Sequence, residues 1–190
     1  MKHVIYVNGF KRSGKDTVGE ILHKHRHVSL FKAATPLYKA IQEVFSLSEG
    51  EWMDMYENAK EKPSQALYGM TPREAMIWLS EDVMKPKFGD DFFGVSLGKR
   101  IMNSQCDVAV VTDSGYAKEI AACMNALPFH QHHLIYLYRT GTTNKGDSRE
   151  IINPCDLGLD VEHYEPIPNN GTIEVLAKEV LNVTDYWTTD

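Results

Sequence analysis

Apolar and polar positions along this chain fall into alternating blocks that predict strands and helices in turn. Val4-Ile5-Tyr6-Val7 is short, apolar and rich in β-branched residues, so it predicts a strand, and Val18, Ile21, Leu22 and His25 then recur at helical spacing. His27 to Phe31 predicts a second strand. Thr35 as cap and Pro36 in the first turn predict a helix that buries Leu37, Ile41, Val44 and Phe45. Residues 48–69 break the rhythm. They are acidic, interleaved with Trp52, Met53, Met55 and Tyr56 and interrupted by Pro63, which predicts an exposed, mobile excursion: an inserted helix pair or a substrate-covering arm.

Thr71-Pro72-Arg73-Glu74 carries a sharper signal, because Thr71 can cap, Pro72 suits the first helical position and Glu74 completes a capping box. Ala75, Met76, Leu79 and Val83 give that helix its stripe, and Pro86 is expected to end it. A helix over about 91–103 leads to the buried strand Asp107–Asp113, which ends on a carboxylate. Ile120, Met124 and Leu127 mark another helix, and Leu134–Tyr138 a strand stopped by Arg139-Thr140-Gly141. After a polar loop, Val161–Ile167 predicts the last strand. Asn169-Asn170-Gly171-Thr172 then turns into a closing helix with Ile173, Leu176, Val180 and Leu181 inward. Strands alternating with helices predict an α/β fold, a parallel sheet of about five strands covered on both faces. Ligands of such sheets bind beyond the carboxyl ends of the strands, where Gly9, Asp113 and Arg139 all fall.

Between the first strand and its helix lies Gly9-Phe10-Lys11-Arg12-Ser13-Gly14-Lys15-Asp16-Thr17. Strand, Gly-x-x-x-x-Gly-Lys, helix is the context of a phosphate-binding loop. Gly9 and Gly14 allow a curl in which successive N–H groups face one anion, and the helix N-terminus adds its own positive end. Lys15, expected on an exposed loop, supplies a full charge to β- and γ-phosphates. The usual motif puts Ser or Thr directly after the Lys; here Asp16 stands there and Thr17 follows, the Gly-Lys-x-Thr spacing common in nucleoside-monophosphate kinases. Thr17 would face Mg²⁺ or hydrogen-bond the α-phosphate, and Asp16 would bond the helix start or steer the waters of Mg²⁺.

Composition narrows the classes. The 190 residues suit one domain, 43% hydrophobic and 24% charged content is ordinary for a soluble protein, and the net charge of −6 argues against a backbone-binding nucleic-acid protein. No apolar run has membrane-spanning length, and Met1-Lys2-His3 leads straight into the first strand, so neither a membrane span nor a signal peptide is expected. Three widely spaced cysteines, 106, 123 and 155, fit a reducing cytoplasm.

The remaining candidate chemistry is phosphoryl transfer, which needs positioning and charge neutralisation. Asp113 would hold Mg²⁺ or cap the following helix. Arg73 would make a bidentate contact to an acceptor phosphate or stand solvated. Arg139 opens the polar loop and Arg149 closes it, so either would reach the transferring group, although Arg149 sits beside Asp147 and Glu150 and suits an exposed ion pair equally. His23, His25 and His27 straddle the end of a helix, so their rings do not share one face, and His130, His132 and His133 precede a strand with no Cys or carboxylate nearby to complete a zinc set. Trp78 would border a base pocket or join the core.

Four stretches then carry a resemblance from end to end of the chain. Phe10 to Thr17, Thr71-Pro72-Arg73-Glu74-Ala75 and Phe88-Gly89-Asp90-Asp91-Phe92-Phe93 resemble the deoxynucleoside monophosphate kinases of tailed bacteriophages, as does Ile167 to Thr172. The resemblance implies one P-loop kinase domain over 1–190, with a helical acceptor-binding region at about 35–105 and a lid loop at about 139–150. It implies ATP and Mg²⁺ as the donor system, a deoxynucleoside monophosphate as acceptor, and a homodimer as a possible assembly. Family roles carry over to Lys15 and the loop residues Gly9, Lys11, Arg12, Ser13, Gly14, Asp16 and Thr17 for the donor and to Arg73 for the acceptor, while Asp16, Thr17 and Asp113 are the metal candidates read from their positions. Many relatives have an Arg soon after the strand-end Asp; Asp113-Ser114-Gly115-Tyr116 has none. Phosphomevalonate kinase of the animal type, dephospho-CoA kinase and a nucleotide-binding regulatory protein are the competing readings.

Overall fold

The computed structural model describes residues 2–143, 150–158 and 160–188. Five strands form one parallel sheet in the order β2-β3-β1-β4-β5: β1 Lys2–Asn8, β2 Val28–Phe31, β3 Val108–Val111, β4 His130–Tyr138 and β5 His163–Pro168. β1 lies at the centre, with Ile5 opposite Val110 of β3 and His133 of β4. The chain therefore reverses its direction of winding beside β1, and the loop Gly9–Gly14 leaves the sheet at that strand's carboxyl end, where ligands of such sheets bind.

The chain divides into two compact units, Met1–Ala33 with Phe93–Asp190, and Ala34–Phe92. In the first, helices α1 (Lys15–His25), α6 (Phe92–Asn103), α7 (Ala117–Ala126) and α8 (Ile173–Thr188) accompany the sheet. Alternation along β1 splits the core in two, as a sheet covered on both faces requires. Val4 and Tyr6 join Leu97, Ile101, Ile120 and Leu127 on one side; Ile5 and Val7 join Val18, Leu22, Leu176 and Val180 on the other. Ile173, expected inward, is exposed at the start of α8.

The second unit is helical: α2 Thr35–Val44, α3 Glu49–Asn58, a 3₁₀ turn Gln65–Leu67, α4 Pro72–Ile77, a π-helical stretch Trp78–Met84 and α5 Lys85–Phe88. It ends at Phe92, so residues 93–105 of the expected acceptor region belong with the sheet. Thr35 is not the cap of α2: Ala34 occupies that position and no side chain caps it. Val44 is exposed instead of buried. The acidic stretch at 48–69 is ordered helix and turn. Ser48 and Glu51 form a capping box at the start of α3, and Trp52 is fully buried between Tyr38 and Tyr56. Nor does Pro86 end its helix, which runs to Phe88 and stops at Gly89, whose φ is 96°. Just ahead of Pro86 the helix widens to π geometry, with Lys85 N–H donating to the Ser80 carbonyl, so the missing proline N–H falls where the regular ladder is already interrupted.

Candidate active site

The loop between β1 and α1 has the curvature expected of it. Ser13 N–H closes a turn onto the Phe10 carbonyl at 3.1 Å, and Arg12 takes a left-handed φ of 66°. Gly9 and Gly14 have φ of 148° and 102°. A Cβ on Gly9 would lie 2.3 Å from the Leu137 carbonyl oxygen and 2.6 Å from Ser13 Oγ, so only glycine fits there. Lys15 opens α1, buried and not on an exposed loop, and its Nζ donates to the carbonyls of Gly9 (2.6 Å) and Phe10 (2.8 Å). Ser13 Oγ is buried with no hydrogen-bond partner among the described residues. A buried hydroxyl without a partner is costly. Within a glycine-walled curl at a helix N-terminus, the group that would satisfy it is an anion with acceptor oxygens, so the residues fit a phosphate chain.

Asp16 faces the sheet's neighbouring strands. Its Oδ1 pairs with Lys32 Nζ at 2.8 Å and accepts from Thr112 Oγ1 at 3.2 Å. Partial burial works to raise the Asp16 carboxyl, but the bond to Lys32 and its charge, with Thr112 and Lys15, outweigh it and hold the group below its usual range. Asp113 follows β3 and its Oδ1 accepts the Ala33 N–H at 2.8 Å, tying the ends of β2 and β3 together. At the start of α7, the Ala117 N–H donates to Glu150 Oε1 at 3.0 Å. Asp16, Thr17 and Asp113 offer carboxylate and hydroxyl oxygens, the donor type magnesium takes.

Arg139 is exposed just beyond β4, in a turn where its carbonyl accepts from Thr142 N–H and Oγ1. Arg149, with residues 144–149 of the expected lid, lies outside the described residues. In the helical unit, Thr71 and Glu74 form the predicted capping box, and Arg73 Nε donates to Glu61 at 2.7 Å. Arg73 is thus held at its inner edge by a carboxylate of its own unit. Trp78 is partly exposed and meets Phe45 edge-on at 6.3 Å.

Two asparagines beside the loop have no site role in the sequence reading, although Asn169 lies in the turn and the resembling stretch singled out there. Asn8, fully buried at the end of β1, donates to the carbonyls of Ser114 (2.8 Å) and Glu150 (3.0 Å) and accepts from Ile152 N–H (3.1 Å). Asn169, past β5, donates to the Ser13 carbonyl at 2.8 Å. Both stand at carboxyl ends of strands, a signal that could have marked them. The histidines are also redistributed. His132 and His133 point to opposite faces of β4, the former to Tyr6 and the Leu127 carbonyl, the latter to His3 at 3.0 Å and His163 at 3.1 Å. His133 is fully buried and stacks on Trp187, away from the β1–α1 loop at the carboxyl ends of the strands. Among the described residues no group of three or more His, Cys, Asp or Glu side chains is placed to hold a metal ion, and no helix is long and apolar enough to cross a membrane.

No family model matches this sequence, and no curated protein matches it. Among solved structures, the chain is similar to a shikimate kinase from Acinetobacter baumannii in complex with shikimate, at 14% identity, covering 100% of this chain and 97% of that one with a TM-score of 0.50. An APS kinase from Mycobacterium tuberculosis (10% identity, 97% and 98% covered, TM-score 0.49) and a dephospho-CoA kinase from Campylobacter jejuni (14%, 100% and 98%, 0.47) lie just below it. The likeness to the shikimate kinase is one of fold: a five-stranded parallel sheet flanked by helices.

Proposed function

We propose that the chain is an ATP-dependent kinase that phosphorylates a deoxynucleoside monophosphate, giving the diphosphate and ADP. The observation that carries the reading is the β1–α1 loop: a glycine-walled curl with a buried Ser13 hydroxyl that has no partner among the described residues, and Lys15 at the head of α1. In this reading an oxygen of the acceptor phosphate attacks the γ-phosphorus, the bond to the β–γ bridging oxygen breaks, and ADP leaves. The protein contributes position and charge. Lys15 moves from the loop carbonyls to the donor phosphates, and the loop N–H groups, with those near Lys11 and Arg12, hold them. Magnesium, held by Asp16, Thr17 and Asp113, would neutralise the charge that accumulates on the phosphate oxygens.

The acceptor belongs to the helical unit. Arg73 is presented from the first turn of a doubly capped helix, and its Nε is already occupied by Glu61, which orients the guanidinium. Its terminal amino groups are the part that would grip the acceptor phosphate. Thr71-Pro72-Arg73-Glu74 and the resemblance to phage enzymes support the nucleotide over other phosphate-bearing acceptors. A coupled ADP-release assay with dNMPs, NMPs, phosphomevalonate and dephospho-CoA tests the proposal. ADP release that depends on a dNMP is the expected result. Release only with phosphomevalonate or dephospho-CoA would overturn the acceptor, and release that no acceptor stimulates would overturn the kinase.

A further inference from the structure

We propose that Asn169 is a positioning residue for the phosphate loop, holding it in the curl that receives the donor phosphates. The inference rests on the loop being a nucleotide site and is independent of which acceptor is used. Asn169 is placed by the sheet: its own N–H donates to the Tyr138 carbonyl at 2.8 Å, carrying the β4–β5 pairing one step past Pro168. From that origin its side-chain nitrogen reaches across to the Ser13 carbonyl at 2.8 Å. A carbonyl can only accept, so the amide must turn its NH₂ to it.

The consequence follows from peptide geometry. In a planar trans peptide the carbonyl oxygen and the next N–H point in opposite directions. With the Ser13 oxygen held by Asn169, the Gly14 N–H is aimed away from Asn169, to the side on which the donor phosphates are proposed to bind. Asn169 also sets the room at Gly14, where a Cβ would lie 2.4 Å from the same nitrogen. One side chain, 156 residues away in sequence, thus fixes the peptide plane beside Lys15 and fills the space behind it.

The test is calorimetric binding of ADP, pyrophosphate and adenosine to the wild type, Asn169→Ala and Asn169→Asp, with melting curves to establish folding. Asn169→Ala frees the peptide and is expected to weaken ADP and pyrophosphate alike, by about tenfold. Asn169→Asp is expected to weaken both further, since it sets a carboxylate against the Ser13 carbonyl and adds negative charge beside the phosphates. Adenosine, which lacks phosphate, should bind all three proteins equally. Should Asn169→Asp not fold, Asn169→Ala decides alone. Unchanged ADP affinity in Asn169→Ala would refute the positioning role, as would a loss seen equally with adenosine, which would mean that Asn169 touches the nucleoside. A wild type that binds neither ADP nor pyrophosphate would refute the nucleotide site and this inference with it.

Discussion

The three-histidine stack against Trp187 makes stability depend on pH in a direction and window that can be worked out. His133 is fully buried, with His3 and His163 on its two ring nitrogens and the Trp187 ring 5.0 Å away and nearly parallel. Burial, and then the proximity of His3, His163 and His132, depress its pKa from 6.5 to about 3. Because the folded value lies below the unfolded one, the unfolded chain takes up the proton first as pH falls. Stability is therefore fully present above about pH 6.5 and drains away between there and about pH 3. Integrating that difference from pH 8 to pH 5 gives a loss of about 2 kcal/mol from this residue alone. His133→Phe keeps a ring in the stack and removes the titration. Urea unfolding followed by tryptophan fluorescence at pH 8, 7, 6 and 5 measures the difference. The variant is expected to be less stable at pH 8, since His3 and His163 lose a partner, yet its stability should fall by about 2 kcal/mol less than the wild type's by pH 5. Equal pH dependence in the two proteins would refute the reasoning.

Three further outcomes are expected. Lys15→Ala should fold, with a lowered melting temperature because the Gly9 and Phe10 carbonyls lose their donor, and should lose nearly all phosphoryl transfer, a barrier increase of about 3 kcal/mol or more, checked by turnover of the folded variant. Arg73→Lys keeps a charge but loses the planar fork, and should raise KM for the nucleoside monophosphate about tenfold, roughly 1.4 kcal/mol, with KM for ATP little changed; an equal rise in both constants would indicate a general disturbance. Gly9→Ala would bring a Cβ within 2.3 Å of the Leu137 oxygen at a φ of 148°, and chemical denaturation should show a loss of about 1–3 kcal/mol together with weakened ADP binding.

What the chain declares locally is what short-range physics controls. The β1–loop–α1 corner is legible because glycine spacing, the apolar run and the helical stripe are neighbours in sequence. The Thr71–Glu74 capping box is legible for the same reason, since all its hydrogen bonds lie within four residues. Even the parallel order of layers follows from the alternation of elements. Other features depended on partners that sequence spacing does not reveal. Trp52, set among acidic residues, looked exposed, yet the helical unit buries it between two tyrosines. Pro86 looked like a stop because the regular helix forbids it, and the π-helical widening ahead of it removes that objection. Lys32 meets Asp16, Asn8 meets Glu150, Asn169 meets Ser13 and His3 meets His133 only because parallel strands bring distant segments into register. A residue's own side chain and its near neighbours decide which element it joins. Which buried polar group it must satisfy is decided by the strand that comes to lie beside it, so these contacts belong to the tertiary structure alone.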